Sequence, residues 1–319
     1  MQNLGFDQIP DTDLSLGNNL LRQVPNPFLG QIPANTSLGQ ATVSTAQLLR
    51  PYPQFTGFTA VRSTAGSSIY HSFQLRIERH MANGFTFLTS YTFSKLIDDG
   101  SPGAAQSYNG ENSGFQDLNN RRLERSLAAQ NLAQHFVTGF VYELPFGQGK
   151  HFLSGVRGPA AFLVGGWQVN GIVTTQDGIP LSLTTASNPT LGAVGAGGLR
   201  PNNDGHSAAK SGPVADRLNS YFDTSVFSQP GAFQFGNTAR TLPDVRAPGI
   251  VDLDLSGVKN TKIKERYSLQ FRAEFFNALN HPNFFLPNVT YGAPGFGTIS
   301  SINPSAPARI VQLALKLYF

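Results

Sequence analysis

From residue 69 onward, apolar and polar side chains alternate one for one in seven stretches, the period of β-strands whose two faces meet different surroundings. In residues 69–80 the odd positions Ile69, Phe73, Leu75 and Ile77 are apolar, joined by His71 and Arg79. The even positions are Tyr70, Ser72, Gln74, Arg76, Glu78 and His80. Residues 85–95 set Phe85, Phe87, Tyr91 and Phe93 against Thr86, Ser90, Thr92 and Ser94. Residues 135–144 set Phe136, Phe140, Tyr142 and Leu144 against His135, Gly139 and Glu143. Residues 166–176 set Trp167, Val169 and Val173 against Gln168, Asn170, Thr174 and Gln176, with residues 181–185 able to prolong that strand. Further on, Val251, Leu253 and Leu255 oppose Asp252, Asp254 and Ser256, while Tyr267, Leu269, Phe271, Ala273 and Phe275 oppose Ser268, Gln270, Arg272 and Glu274. The final stretch opposes Val311, Leu313, Leu315, Leu317 and Phe319 to Gln312, Ala314 and Lys316.

Strands of about nine to twelve residues, tilted near 45°, rise roughly 21–28 Å and match a bilayer core. A soluble sandwich alternates in the same way, but its solvent face carries many Lys and Glu. Here the polar positions are chiefly Ser, Thr, Gln and Asn, and the apolar ones are heavy in Phe and Tyr, as in aromatic girdles. The connections alternate too. Those starting near residues 96, 177 and 277 are long, and those starting near 81, 145 and 259 are shorter. Counted back from Phe319, every long connection falls on one side, the pattern of long extracellular loops and short periplasmic turns. Ala82-Asn83-Gly84 suits a positive-φ turn, and pairing residue 80 with residue 84 across a bulge would keep each face continuous. Residues 1–68, rich in Pro, Asn, Gly and Ser, read as a mostly irregular extracellular segment leading into the strands of residues 69–319. The expected fold is all-β: the C-terminal portion of an antiparallel transmembrane outer-membrane β-barrel with about seven or more long strands.

Composition narrows the choice. Charged residues make up only 13% of the chain, against 33 Gly, 21 Pro and 25 Phe, which fits a surface that meets lipid better than one that meets water. No apolar run is long enough for a transmembrane helix, which does not exclude a barrel. The net charge of +4 is small and dispersed, so nucleic acid is not an expected partner. With no cysteine, disulfides and thiol chemistry are ruled out. Met1-Gln2-Asn3-Leu4-Gly5-Phe6 has no basic-then-apolar character, so a signal peptide is expected upstream.

Candidate chemistry is sparse. Asp252, Asp254, Arg272 and Glu274 share the polar face of neighbouring strands, and a turn over residues 259–265 would set Asp252 opposite Arg272. Such charges could line a solute path or satisfy one another as lumen ion pairs; the structural reading is preferred, for Arg76 and Glu78 as well. Asp98-Asp99 and Asn202-Asn203-Asp204-Gly205 lack the spacing of a calcium loop and read as turns. The six histidines are scattered, Gly147-Gln148-Gly149-Lys150 is no phosphate loop, and no nucleophile elbow occurs. No catalytic, cofactor or metal site is expected, and no enzyme. Residues 118–132 space Leu123 and Leu127 against Arg121, Arg122, Glu124 and Arg125, predicting a short extracellular helix.

Several segments resemble the barrel of Oar-like TonB-dependent transporters. They include Ser90-Tyr91-Thr92-Phe93-Ser94-Lys95, Leu144-Pro145-Phe146-Gly147, Gly165-Gly166-Trp167-Gln168-Val169-Asn170-Gly171 and Gln176-Asp177-Gly178-Ile179-Pro180. Others are Leu48-Leu49-Arg50-Pro51-Tyr52-Pro53, Phe275-Phe276-Asn277-Ala278-Leu279-Asn280-His281-Pro282-Asn283-Phe284 and Gln312-Leu313-Ala314-Leu315-Lys316-Leu317-Tyr318-Phe319. Asn131 and Gln134 depart from the Asp and basic residue expected before His135. The resemblance implies barrel wall and extracellular loops for energised uptake of an unknown solute, driven by an inner-membrane TonB complex acting through a plug. No counterpart of the plug, the TonB box or the N-terminal carboxypeptidase-regulatory-like domain is seen, so a barrel fragment is expected; about seven strands cannot close a wall of about 22. It also implies outer-membrane lipid as surroundings, and Leu313, Leu315, Leu317 and Phe319 as the signal read by the barrel-assembly machinery. The rival readings are a non-transporting outer-membrane adhesin or structural barrel, and a soluble carbohydrate-binding β domain.

Overall fold

The seven alternating stretches become seven long strands. They are β1 (Ser68–Ala82), β2 (Phe85–Asp98), β3 (Gln134–Glu143), β4 (Trp167–Gln176), β5 (Ile250–Lys262), β6 (Ser268–Phe276) and β7 (Ile310–Tyr318). The computed structural model describes residues 2–5, 7–57, 59–63, 66–82, 84–100, 115–195, 198–263 and 266–319. The strands pair antiparallel in chain order, leaving β1 and β7 as edges that do not meet, so the wall is open.

Register decides the faces, because a slip of one residue would turn a whole strand over. One row runs Arg79, Phe87, Phe140, Gly171, Leu255, Phe275 and Val311 across all seven strands. The neighbouring polar row runs Thr86, Val141, Asn170, Ser256, Glu274 and Gln312. Apolar and polar faces therefore stay continuous from edge to edge. Neither face is covered: Phe73 is 60% exposed and Leu315 67% on the apolar side, and the Arg76 side chain is 67% exposed on the polar side. Among the described residues, Val258 is the one buried apolar residue that belongs to these strands. A sandwich would build its core from strand residues. This wall does not.

The apolar cores lie instead in the long connections, all at one end of the wall. Leu181, Leu183, Tyr221, Phe222, Phe227, Leu242 and Ile299 join residues 177–249 to residues 277–309. Ile9, Leu20 and Ala46 pack with Leu191, Val194 and Phe233, tying the N-terminal segment onto the same cap. That segment carries two short 3-10 turns within Asp11–Leu21, broken at Gly17, and a small ladder of Gln23–Pro25 with Thr42–Ser44.

Four local expectations are corrected. Residues 181–185 do not prolong β4: Asp177 N–H closes on Gln134 O, and Leu181 then bonds Val245 and Leu242 inside the cap. Their apolar alternation serves that core. Residues 118–132 form no helix beyond a 3-10 turn, Arg121–Glu124, because Glu124 is pulled inward and Ser126–Leu127 pairs in extended form with Ile97 and Asp98. At the first turn Ala82 pairs with Phe85, rather than residue 80 with 84; the bulge lies between Arg79 and Ala82, and Gly84 takes φ +78°. Asn83 lies outside the described residues. Finally, β5 runs on to Lys262, so Arg272 stands opposite Val258 and not Asp252. The turn closes at Ile263 and Tyr267; residues 264–265 lie outside the described residues.

Gly178 marks a close approach between the two ends of residues 177–249. A Cβ there would sit 1.8 Å from Ala247 O. Gly178→Ala is expected to cost at least the roughly 1–3 kcal/mol of an overpacked site. Faster protease cutting within residues 177–249, with the wall intact, is the check.

Candidate functional site

Polar side chains meet on the polar face of the wall and inside the cap. On the face, Arg76 Nη2 lies 2.8 Å from Glu78 Oε2, two positions along the same strand. Arg272 Nη1 lies 3.5 Å from Glu274 Oε1, and Arg272 Nε–H donates to Gln270 Oε1 at 2.9 Å. Gln270 in turn donates to Asn260 Oδ1 at 2.8 Å. Gln168 donates to Asn170, and Asn170 to Ser256 Oγ, linking β4 to β5. Asp254 Oδ1 accepts from Asn277 N–H at 3.0 Å, fastening the end of β6. Asp252 Oδ1 is buried and carries no hydrogen bond. The six charges thus share one face: Arg76 pairs with Glu78 and Arg272 with Glu274 along single strands, Asp252 and Asp254 join no salt bridge among the described residues, and the pairing across strands expected for Asp252 and Arg272 is absent.

Above this face the cap holds a buried polar network that the periodicity did not reveal. Arg200 Nη2 lies 3.1 Å from Glu124 Oε1, with the two side chains 3% and 1% exposed. Gln116 donates to Gly236 O and accepts from Arg200 N–H. Arg240 donates to Glu124 O and to the Asp98 carboxylate, joining the cap to the end of β2. Arg246 donates to Asn131 O, Asn131 Oδ1 and Gly178 O. Burial pulls Arg200 below its ordinary pKa, and the Glu124 charge opposes that pull. These residues were hard to see because an ion pair 76 positions apart leaves no spacing signal. The one clue is isolated arginines in otherwise apolar loop sequence.

Loop carboxylates give the cap a pH response. Burial alone would raise Asp99, but two hydrogen bonds from Ser67 and the Arg121 charge carry it below its ordinary value. Ser225 lowers Asp223, and the His206 N–H lowers Asp204; both hold the oxygens in local turns. Burial raises Asp117 despite bonds from Asn119 and Gln8. A lowered carboxylate stabilises the fold above its unfolded pKa, near 4, and loses that contribution as pH falls through the folded value. Asp117 has the opposite sign and offsets part of it. Protease cutting in the cap is therefore expected to rise below about pH 4, while the wall's backbone ladders hold. Equal sensitivity of cap and wall would contradict this.

The C-terminal stripe stands at the β7 edge. Leu313, Leu315 and Leu317 are 66, 67 and 55% exposed on the apolar face, and Phe319, 93% exposed, follows the end of the strand.

A family model described as an outer membrane beta barrel domain matches residues 15–312. No curated protein and no solved structure matches the chain. An antiparallel wall with one continuous apolar face, no core of its own and long loops gathered at one end is what such a family requires. The chain belongs to the outer membrane β-barrel domain family, and its place is the outer membrane.

Proposed function

We propose that these seven strands are part of the wall of an Oar-like, TonB-dependent transporter, with the long-loop cap on the extracellular side. One observation carries the reading: the polar face leaves the Arg76 and Arg272 side chains 67 and 38% exposed, and Val258 is the one apolar strand side chain buried on it among the described residues. A barrel of about eight strands fills its interior with side chains, whereas a wide one holds water or a plug. The edges of β1 and β7 point the same way, since bare strand edges in lipid cost several kcal/mol per unpaired group and call for further strands. On this reading Arg76, Glu78, Asp252, Asp254, Arg272 and Glu274 keep the lumen wet, and an inner-membrane TonB complex supplies energy through a plug. The stripe from Leu313 to Phe319 is what the barrel-assembly machinery reads.

The second reading, a non-transporting adhesin or structural barrel, is favoured by the cap itself, a packed surface suited to display. Solute depletion from the medium separates the two. Cells without this protein should leave the same solute unconsumed as cells without TonB, and the double loss should add nothing. A phenotype of the loss that persists undiminished in cells without TonB would select the adhesin.

A further inference from the structure

We propose that the long-loop end of β2 holds a binding site for the phosphorylated head group of an outer-leaflet glycolipid. A cavity of about 500 Å³ opens there. Its floor is apolar, from Phe93, Ile97 and Leu127, and its rim carries Lys95, Arg125 and Arg246. Among the described residues no acidic side chain lines it.

Phe93, Lys95 and Ile97 alternate onto the apolar face of the wall, and Leu127 pairs with Ile97 on the same face. A cation on that face is costly unless it reaches an anion or water at the membrane boundary. Lys95 is exposed and bonded to nothing among the described residues, and across the strand pair it faces His71. Among the described residues the Arg125 side chain has only a long bond, 3.4 Å, to Ser67 Oγ. Arg246 is held in place by Asn131 and Gly178, so it offers fixed positive charge instead of a free arm. The nearest acids are already engaged: Asp98 with Arg240, and Asp99 with Ser67 and Arg121; Asp177 acts on Arg246 only through space.

Three cations lining one cavity select an anion, and Arg favours phosphate geometry. The floor selects the kind of anion. It continues without a break into the exposed stripe of Phe93 and Phe73, along which acyl chains can lie. A free phosphate has no use for that floor; a phosphorylated lipid uses both parts. This inference rests on the outward placement of the cap but not on transport.

The test uses protein isolated from outer membranes, stripped of lipid and offered vesicles containing a phosphorylated outer-leaflet glycolipid. Wild type should retain the lipid, and Lys95→Gln/Arg125→Gln should bind about thirtyfold more weakly, at near 1 kcal/mol for each cation. Lys95→Gln alone, at an exposed strand position outside both apolar clusters of the cap, should give part of that loss with the protein fully folded. Equal binding of the dephosphorylated lipid would overturn the proposal, as would competition by free inorganic phosphate at the lipid's own concentration. Unchanged binding in Lys95→Gln and in the double variant would do so too. Labelling a Ser211→Cys variant, at an exposed cap position outside the cavity, on intact cells checks the orientation separately: no labelling would place this end inside and sink the proposal while leaving the family assignment untouched.

Discussion

Glu124→Ala is expected to loosen the cap and leave the wall standing. The substitution strips Arg200 of its partner while keeping the guanidinium 3% exposed, and it withdraws the acceptor that fixes Gln116 N–H. Breaking a buried ion pair from one side costs about 3–5 kcal/mol, because the surviving charge is left uncompensated. Arg240 still bonds the Glu124 backbone and Asp98, so the damage should spread through residues 115–131 and 198–242 and stop at β2. Amide exchange resolved by segment is the check. Faster exchange in those loops with protected strands is the expected outcome, and exchange unchanged in the loops would show that the network contributes little. Arg200→Met with Glu124→Leu, which removes both charges, should recover much of the loss.

The second large effect separates the faces of the wall at one step of the chain. Leu255 and Ser256 lie side by side in the middle of β5, each paired with β4 and with β6. Leu255 belongs to the apolar row and Ser256 to the polar one, where Glu274 stands opposite. Leu255→Arg should destabilise the protein in lipid by about 2–4 kcal/mol, the penalty of a guanidinium near the bilayer midplane. Ser256→Arg should cost little, since the new charge meets water and Glu274. Urea unfolding of the two variants in lipid vesicles gives the comparison. Similar midpoints for both would mean that the faces do not differ in surroundings.

The wall was legible in the sequence because its cause is local. Period-two alternation needs only the chain itself, and Phe85, Phe87, Phe140, Leu255 and Leu315 all fell on one face once the strands paired. Connection lengths were legible for the same reason. What failed was set by contacts far apart in the chain. Leu181 and Leu183 alternate like a strand yet are claimed by Phe222 and Leu242. Residues 118–132 space like a helix, but Glu124 answers to Arg200 and Leu127 to Ile97. The pairing of Asp252 with Arg272 presumed an earlier turn, and β5 extends past it because Asn260, Thr261 and Lys262 still find ladder partners on β6. The face of each of those charges came from alternation; their partners came from register.

Because the sequence carries no cysteine, single cysteines can report each face of β7 directly. With the protein in the outer membrane, cysteines replacing Gln312 and Lys316 should react with a water-soluble maleimide. Those replacing Leu313, Leu315 and Leu317 should resist it and react instead with a lipid-soluble probe. A record that divides these five positions by face, Gln312 and Lys316 against Leu313, Leu315 and Leu317, is what the account predicts; uniform labelling, or the reverse division, would contradict it.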